Sequence, residues 1–175
     1  MCEKDAEKLD QTRNSKFQLR FAEEKDVSLI LSLIKELAEY EKLLHEVVTT
    51  EEILKESLFE RKVAEVIIVE YEGNPIGYAL FFYNFSTFLG RPGIYLEDLY
   101  VKHEMRGMGL GKIMLSYLAK LTVERKCGRL EWACLDWNKP SIKFYEKLGA
   151  VPMKDWTVFR LCNNALDRLA GSCEA

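Results

Sequence analysis

Ile94-Tyr95-Leu96-Glu97-Asp98-Leu99-Tyr100-Val101 leads, across a short polar link, into Arg106-Gly107-Met108-Gly109-Leu110-Gly111. The first stretch is apolar enough to be a core strand, which makes its two acids, Glu97 and Asp98, conspicuous. After the glycines, Leu110, Ile113, Met114, Tyr117, Leu118 and Leu121 recur at helical spacing, and Gly128 is placed to cap the helix end. Arg129 to Trp137 reads as a further strand. Strand, glycine loop, helix and strand make a βαβ unit, whose two strands are parallel with a right-handed crossover. The first N–H groups of such a helix have no carbonyl partner inside it, and its dipole favours an anion there. Glycines let the backbone come close to a phosphate, and Arg106 adds a cation.

Two phosphate-binding patterns fail on spacing. A Walker A loop needs G-x-x-x-x-G-K-[ST]; here Arg106 replaces the first glycine and Ile113 the hydroxyl residue after Gly111-Lys112. A dinucleotide fingerprint needs G-x-G-x-x-G, but Gly107-x-Gly109-x-Gly111 is one residue short. What remains is R-G-x-G-x-G. Its bland reading, a tight loop that merely starts a helix, has to explain alternate glycines where glycine is unfavourable.

Upstream, Phe17-Gln18-Leu19-Arg20-Phe21 alternates as a strand, and Leu29, Ile30, Leu33, Ile34, Leu37 and Ala38 mark an amphipathic helix from Asp26 to about Leu44. Thr49 or Thr50 can cap a second helix that carries Glu51 and Glu52 in its first turn. Val63 to Tyr71 and Ile76 to Phe85 read as a hairpin around Gly73-Asn74-Pro75, and Gly90-Arg91-Pro92-Gly93 as a break. Downstream, Asn138 caps a short helix with Pro140 in its first turn, bearing Ile142, Phe144, Tyr145 and Leu148 and ended by Gly149. A last strand is expected at about Thr157 to Leu161. The order β-α-α-β-β-β-α-β-α-β predicts an α/β fold with a mixed, twisted sheet. Residues 1–16 read as a disordered polar segment, 17–165 as one domain and 166–175 as a tail.

The chain has 175 residues with a net charge of −3, which argues against a general nucleic-acid binder. No apolar run reaches the length of a membrane span, and the polar start lacks the apolar core of a signal peptide, so the expected compartment is the cytoplasm. Five cysteines (Cys2, Cys127, Cys134, Cys162, Cys173) form no C-x-x-C pair and read as free thiols. His45 and His103 are distant in sequence and read as solvated, so no metal site is expected.

Four separated motifs resemble one family. They are Leu37-Ala38-Glu39-Tyr40-Glu41, Tyr95-Leu96-Glu97-Asp98, the glycine loop, and Asp136-Trp137-Asn138-Lys139-Pro140-Ser141 followed by Phe144-Tyr145. In this order, from Phe17 to Leu161, they are similar to the GNAT superfamily of N-acetyltransferases, and within it to the diamine (spermidine/spermine) and thialysine acetyltransferases. The resemblance implies a sheet of roughly six to seven strands flanked by about four helices. It implies acetyl-CoA as co-substrate, direct attack by an amine in a ternary complex, a small-molecule amine as partner, and a homodimer. The aromatic run from Phe81 to Phe88 exceeds what one small core needs. By the same resemblance, backbone groups of Leu99, Tyr100 and Val101 pair with the pantetheine arm. Arg106, Gly107, Met108, Gly109, Leu110, Gly111 and Lys112 hold the pyrophosphate, and Asn138 and Ser141 contact the cofactor. Tyr145 protonates the departing thiolate, while Tyr40, Glu41, Glu97 and Asp98 bind or deprotonate the amine.

The chemistry has its own demands. An alkylammonium has a pKa of about 10 and cannot attack while charged, so a base must take its proton directly or through water. Glu97 is the first candidate. Asp98 is adjacent, and points to the other sheet face unless the strand is bulged. Tyr145 competes with a plain core role for an aromatic on a short helix. Cys134 could carry the acetyl group covalently, but no histidine is placed to activate it. A carboxylate-lined cleft suits a polyamine or the far amine of a lysine-like amino acid. Recognising the latter's α-carboxylate needs a cation, for which Lys42 or Arg91 could serve. Asp136-Trp137-Asn138 and the Tyr40-Glu41 helix end lean towards the thialysine branch, and Glu146-Lys147 departs from the basic pair of the polyamine branch. A protein acetyltransferase would need an open groove, and a non-catalytic CoA-binding module would need neither Glu97 nor Tyr145.

Overall fold

The computed structural model describes residues 16–173, so the segment read as disordered lies almost entirely outside the described residues. The chain forms two compact units, one running to Ala133 and one starting at Cys134. The first unit holds strands β1 (Phe17–Phe21), β2 (Glu65–Tyr71), β3 (Asn74–Ser86), β4 (Arg91–Val101) and β5 (Leu130–Trp132). It also holds helices α1 (Val27–Tyr40), α2 (Glu51–Lys55, continued by a π-turn over Glu56–Glu60) and α3 (Leu110–Glu124).

The strands stand in the order β1-β2-β3-β4-β5. The first four form an antiparallel meander, and β5 pairs in parallel with β4 after the α3 crossover, as the βαβ pattern predicts. Both faces are covered. Val27, Ile30 and Leu33 of α1 and Leu54 of α2 pack with Val66, Ile68, Tyr78 and Tyr100 of the sheet. Alternation sends Ile67, Val69 and Ala79 to the other side, and α3 packs on β4 and β5 while burying Leu110, Met114, Leu118 and Leu121. Thr50 is the residue that caps α2, accepting the N–H of Ile53 at 3.3 Å.

The turns differ in detail from the sequence reading. Glu72 and Gly73, not Gly73 to Pro75, form the β2–β3 turn, both with positive φ (49° and 78°), as a tight two-residue hairpin requires. Gly93 is not in a break but inside β4, opposite Asn84. A Cβ there would stand 2.4 Å from Asn84 Oδ1 and 2.9 Å from Arg129 Cγ, so this glycine serves close approach between strands.

The second unit, described by itself, contains helices α4 (Lys139–Lys147) and α5 (Asn163–Gly171). Three expectations are corrected here. The strand read to Trp137 stops at Trp132, because residues 135–139 close tight turns: Asn138 N–H donates to Leu135 O at 2.9 Å and Lys139 N–H to Trp137 O at 2.8 Å. Thr157 to Leu161 is not a strand: it joins no ladder among the described residues, and Val158 and Phe159 are exposed. The stretch read as a tail from residue 166 lies mostly within α5, which crosses that boundary. Among the described residues the fold is therefore a mixed α/β sheet of five strands with five helices, rather than six to seven strands with about four.

Candidate active site

β4 carries a bulge where its two acids lie. Leu80 of β3 stands opposite Asp98 and Phe81 opposite Leu96, which leaves Glu97 without a cross-strand partner. The strict alternation assumed for the two acids is therefore broken here. Glu97 is exposed, whereas Asp98 is partly buried on the α1 side with Tyr100. The Tyr78 hydroxyl donates to Asp98 Oδ2 at 2.8 Å. Burial pushes the Asp98 carboxyl above its usual range; the Tyr78 hydrogen bond opposes that, and the Glu97 charge adds to it.

The α1 helix ends at Tyr40, earlier than Leu44, because the chain turns left-handed at Lys42 (φ 63°). Leu43 N–H reaches back to Ala38 O at 2.8 Å and Lys42 N–H to Glu39 O at 3.0 Å, a Schellman closure without the usual glycine. That closure holds Tyr40 and Glu41 at the helix end. Burial, and next the Asp98 charge, push the Glu41 carboxyl up. The same two charges reach Tyr78, whose phenol is pushed far up, first by burial and then by Asp98. Tyr100 donates its hydroxyl to Glu36 Oε2 at 3.1 Å, and burial followed by that bond raises it to about 12.

Beyond Leu96, β5 no longer pairs with β4, so Leu99, Tyr100 and Val101 present an edge to which no strand is bonded among the described residues. The glycine loop follows. Gly107 and Gly109 have φ of 81° and 82°, and a Cβ on either would meet no atom within 4 Å. These glycines are required by backbone conformation, and the space beside them is open. Gly109 caps α3, whose first turn contains Leu110, Gly111 and Lys112; Lys112 N–H returns to Gly109 O at 3.0 Å. A loop of this shape ending on a 15-residue helix suits a pyrophosphate. Met108 and Arg106 are exposed. The Arg106 guanidinium stacks 4.3 Å from the Tyr40 ring centroid and 5.8 Å from that of Tyr100, and its Nε donates to Val101 O at 3.0 Å.

In the second unit, Asn138 is buried and its side chain accepts the N–H of Ser141 at 3.4 Å, so the pair forms the capped start of α4. Tyr145 is partly buried in α4, its ring 5.3 Å from that of Phe144. The first unit thus brings together Tyr40, Glu41, Asp98 and Arg106, with Glu97 beside them on the bulge. Sequence reading missed Tyr78 and Glu36. The only sign of either was a tyrosine in an aromatic strand and a glutamate on a helix facing it. His45 and His103 are exposed, as expected.

Comparison with known proteins decides the family. The model of the acetyltransferase (GNAT) family matches residues 30–150. This chain belongs to the GNAT acetyltransferase family. As a GNAT protein it is an acyltransferase, and members of its family use acetyl-CoA. It is 39% identical over 165 residues to thialysine N-epsilon-acetyltransferase of Bos taurus, covering 87% of this chain and 96% of that one. It is 30% identical over 161 residues to spermidine/spermine N(1)-acetyltransferase-like protein 1 of Homo sapiens, covering 86% of this chain and 23% of that one. An integron cassette protein from the mobile metagenome of V. cholerae shares the GNAT chain's fold at a TM-score of 0.75 and 23% identity, covering 89% and 98% of the two chains. No helix among the described residues of this GNAT protein is long and apolar enough to cross a membrane.

Proposed function

We propose that this acetyltransferase acts on the primary amine of a small cationic substrate, a thialysine- or lysine-like amino acid in preference to a polyamine. The observation that carries the reading is a pair of partly buried carboxylates, Glu41 and Asp98, in the same unit as the open glycine cradle; burial pushes both up, and the Asp98 charge adds to the shift of Glu41. Two acids whose charged forms are disfavoured by burial favour a cation as their ligand, because a cation offsets the cost of keeping them ionised away from water. The Tyr40 ring, which already stacks a guanidinium, adds a face suited to an ammonium. The higher identity to a thialysine enzyme than to a spermidine/spermine-type protein supports the amino-acid branch.

In this reading acetyl-CoA supplies the thioester carbonyl that accepts the amine. Residues 106–112 hold its pyrophosphate, the edge over Leu99 to Val101 receives the pantetheine arm, and Asn138 and Ser141 add contacts. Glu97, exposed on the bulge, takes the ammonium proton directly or through water. The neutral nitrogen attacks the carbonyl carbon, the C–S bond breaks, Tyr145 donates its proton to the sulfur that leaves, and the second proton lost by the nitrogen as the amide forms restores the phenol. Exposed Tyr83, Phe85 and Phe88 on the β3–β4 hairpin support a homodimer.

The test is a panel of thialysine, lysine, spermidine and a histone-like peptide, each with acetyl-CoA. The reading expects the highest kcat/KM with thialysine and the lowest with the peptide. Preference for the peptide would make this a protein acetyltransferase; tight CoA binding without acetylation of any amine would make it a binding module. For the acid role, Tyr145→Phe should lower kcat by roughly a hundredfold to ten-thousandfold, with the acetyl-CoA Kd unchanged. Unchanged turnover removes Tyr145 from the chemistry.

A further inference from the structure

We infer that Tyr78 is a positioning residue for amine recognition: its buried hydroxyl holds Asp98 Oδ2 and thereby presents the other carboxylate oxygen, Oδ1, to the cation of the substrate. The inference rests on Asp98 as a ligand of the amine. Tyr78 lies in the middle of β3, opposite Tyr100, with 0% of its surface exposed. The two rings stand 6.5 Å apart and fill the core beneath α1. Phenylalanine would fill the same space. A hydroxyl placed so deep is costly unless it is bonded, and its bond goes to Asp98 at 2.8 Å.

The bond is one-sided in charge. The groups that face Asp98 are Tyr78 from β3, Glu41 from the end of α1, and Glu97 on β4 itself. None of the three is cationic, and no ion pair is made by Asp98 among the described residues. Tyr78 therefore orients the carboxylate without neutralising it, and the negative charge stays available. A neutral donor also favours the ionised form, against the burial and the Glu97 charge that push the other way. Glu97 sits exposed on the bulge without a cross-strand partner, whereas Tyr78 is buried in a paired stretch of β3. A rigid donor on a partly buried acid sets where the amine's charge comes to rest.

Tyr78→Phe tests this in the full-length enzyme. The KM for thialysine should rise about tenfold, the loss of one hydrogen bond to a charged group. The kcat should fall less, and the acetyl-CoA Kd should stay the same. The acid limb of the kcat/KM profile for the amine should move to higher pH, because Asp98 then protonates more readily. In an Asp98→Asn background, Tyr78→Phe should add no further loss. If Tyr78→Phe does not fold, 2,3-difluorotyrosine placed at position 78 keeps the shape and strengthens the donor; the acid limb should then move to lower pH. A merely structural tyrosine would weaken acetyl-CoA and amine alike and leave the acid limb where it was, and that result overturns the inference. Acetylation of no amine by the wild-type enzyme overturns the proposed function and this inference with it, whereas an active enzyme with an unmoved acid limb overturns this inference alone.

Discussion

Asp26 and Asp98 are two carboxylates withdrawn from water in the same unit, and they are held in opposite ways. Asp26, between β1 and α1, receives a bidentate guanidinium: Arg20 Nη1 lies 2.6 Å from Oδ2 and Nη2 2.9 Å from Oδ1, with the Glu23 N–H 2.8 Å from Oδ2. The Arg20 hydrogen bonds hold its carboxyl below the usual range, and Glu70 completes the network through Arg20 Nε at 2.8 Å. Asp98 has a neutral phenol and two acidic neighbours, and its carboxyl is pushed up. One acid is satisfied by the fold. The other has a neutral phenol as its hydrogen-bond donor and no cation acting on it among the described residues. What faces a carboxylate, not how deep it lies, is the ground for proposing that Asp98 meets the charge of a ligand while Asp26 serves the fold.

The largest effect should come from removing the unmatched charge. Asp98→Asn should raise the amine KM about a hundredfold, as loss of one partner of a desolvated charge pair does. It should not lower the thermal midpoint, because a repelled carboxylate is lost with it. A fall in Tm with normal amine kinetics would make Asp98 a second Asp26.

The mirror experiment is Asp26→Asn, which should cost about 3 kcal/mol of stability in urea unfolding while kcat/KM stays near wild type. The pH dependences should also oppose each other. Asp26 has a depressed folded-state pKa, so its contribution is present above the unfolded aspartate value and is lost as pH falls through the folded one. Asp98 has a raised folded-state pKa, so it weakens the fold as pH rises from the unfolded value through the folded one. Urea midpoints across acid pH should show the first slope vanish in Asp26→Asn and the second in Asp98→Asn.

The smallest effect concerns how Glu41 is presented. Lys42 occupies a left-handed position that glycine adopts without strain, so Lys42→Gly should stabilise the protein by about 0.5–1 kcal/mol, read as a shift in the urea midpoint. If it also leaves the amine KM unchanged, the helix end is held by its hydrogen bonds and not by the lysine side chain.

Much of this was legible in the chain itself, for a common reason. The glycine loop, the α3 helix behind it, the parallel β5 and the cap at Asn138 all rest on local spacing and on backbone preferences that residues carry with them. The placing of Tyr40 and Glu41 near a helix end was legible too, although the end itself came early, because lysine in a left-handed turn leaves no mark in sequence. The strand expected at 157–161 illustrates the limit. Its alternation is real, but a strand is made by a ladder with a neighbour, and this stretch joins no ladder among the described residues.

Only the tertiary structure decided how the two acids on β4 are presented. Sequence put Glu97 and Asp98 side by side and assumed alternation. Register against β3 inserts the bulge at Glu97, exposes it, and turns Asp98 towards Tyr78 and Glu41. Register is a property of two strands at once, and the electrostatics of a carboxylate is a property of everything that faces it. The chain alone therefore determined that a glycine loop precedes α3 and that acids stand just before it. Which acid faces inward, and which tyrosine holds it, required strands far apart in sequence to meet.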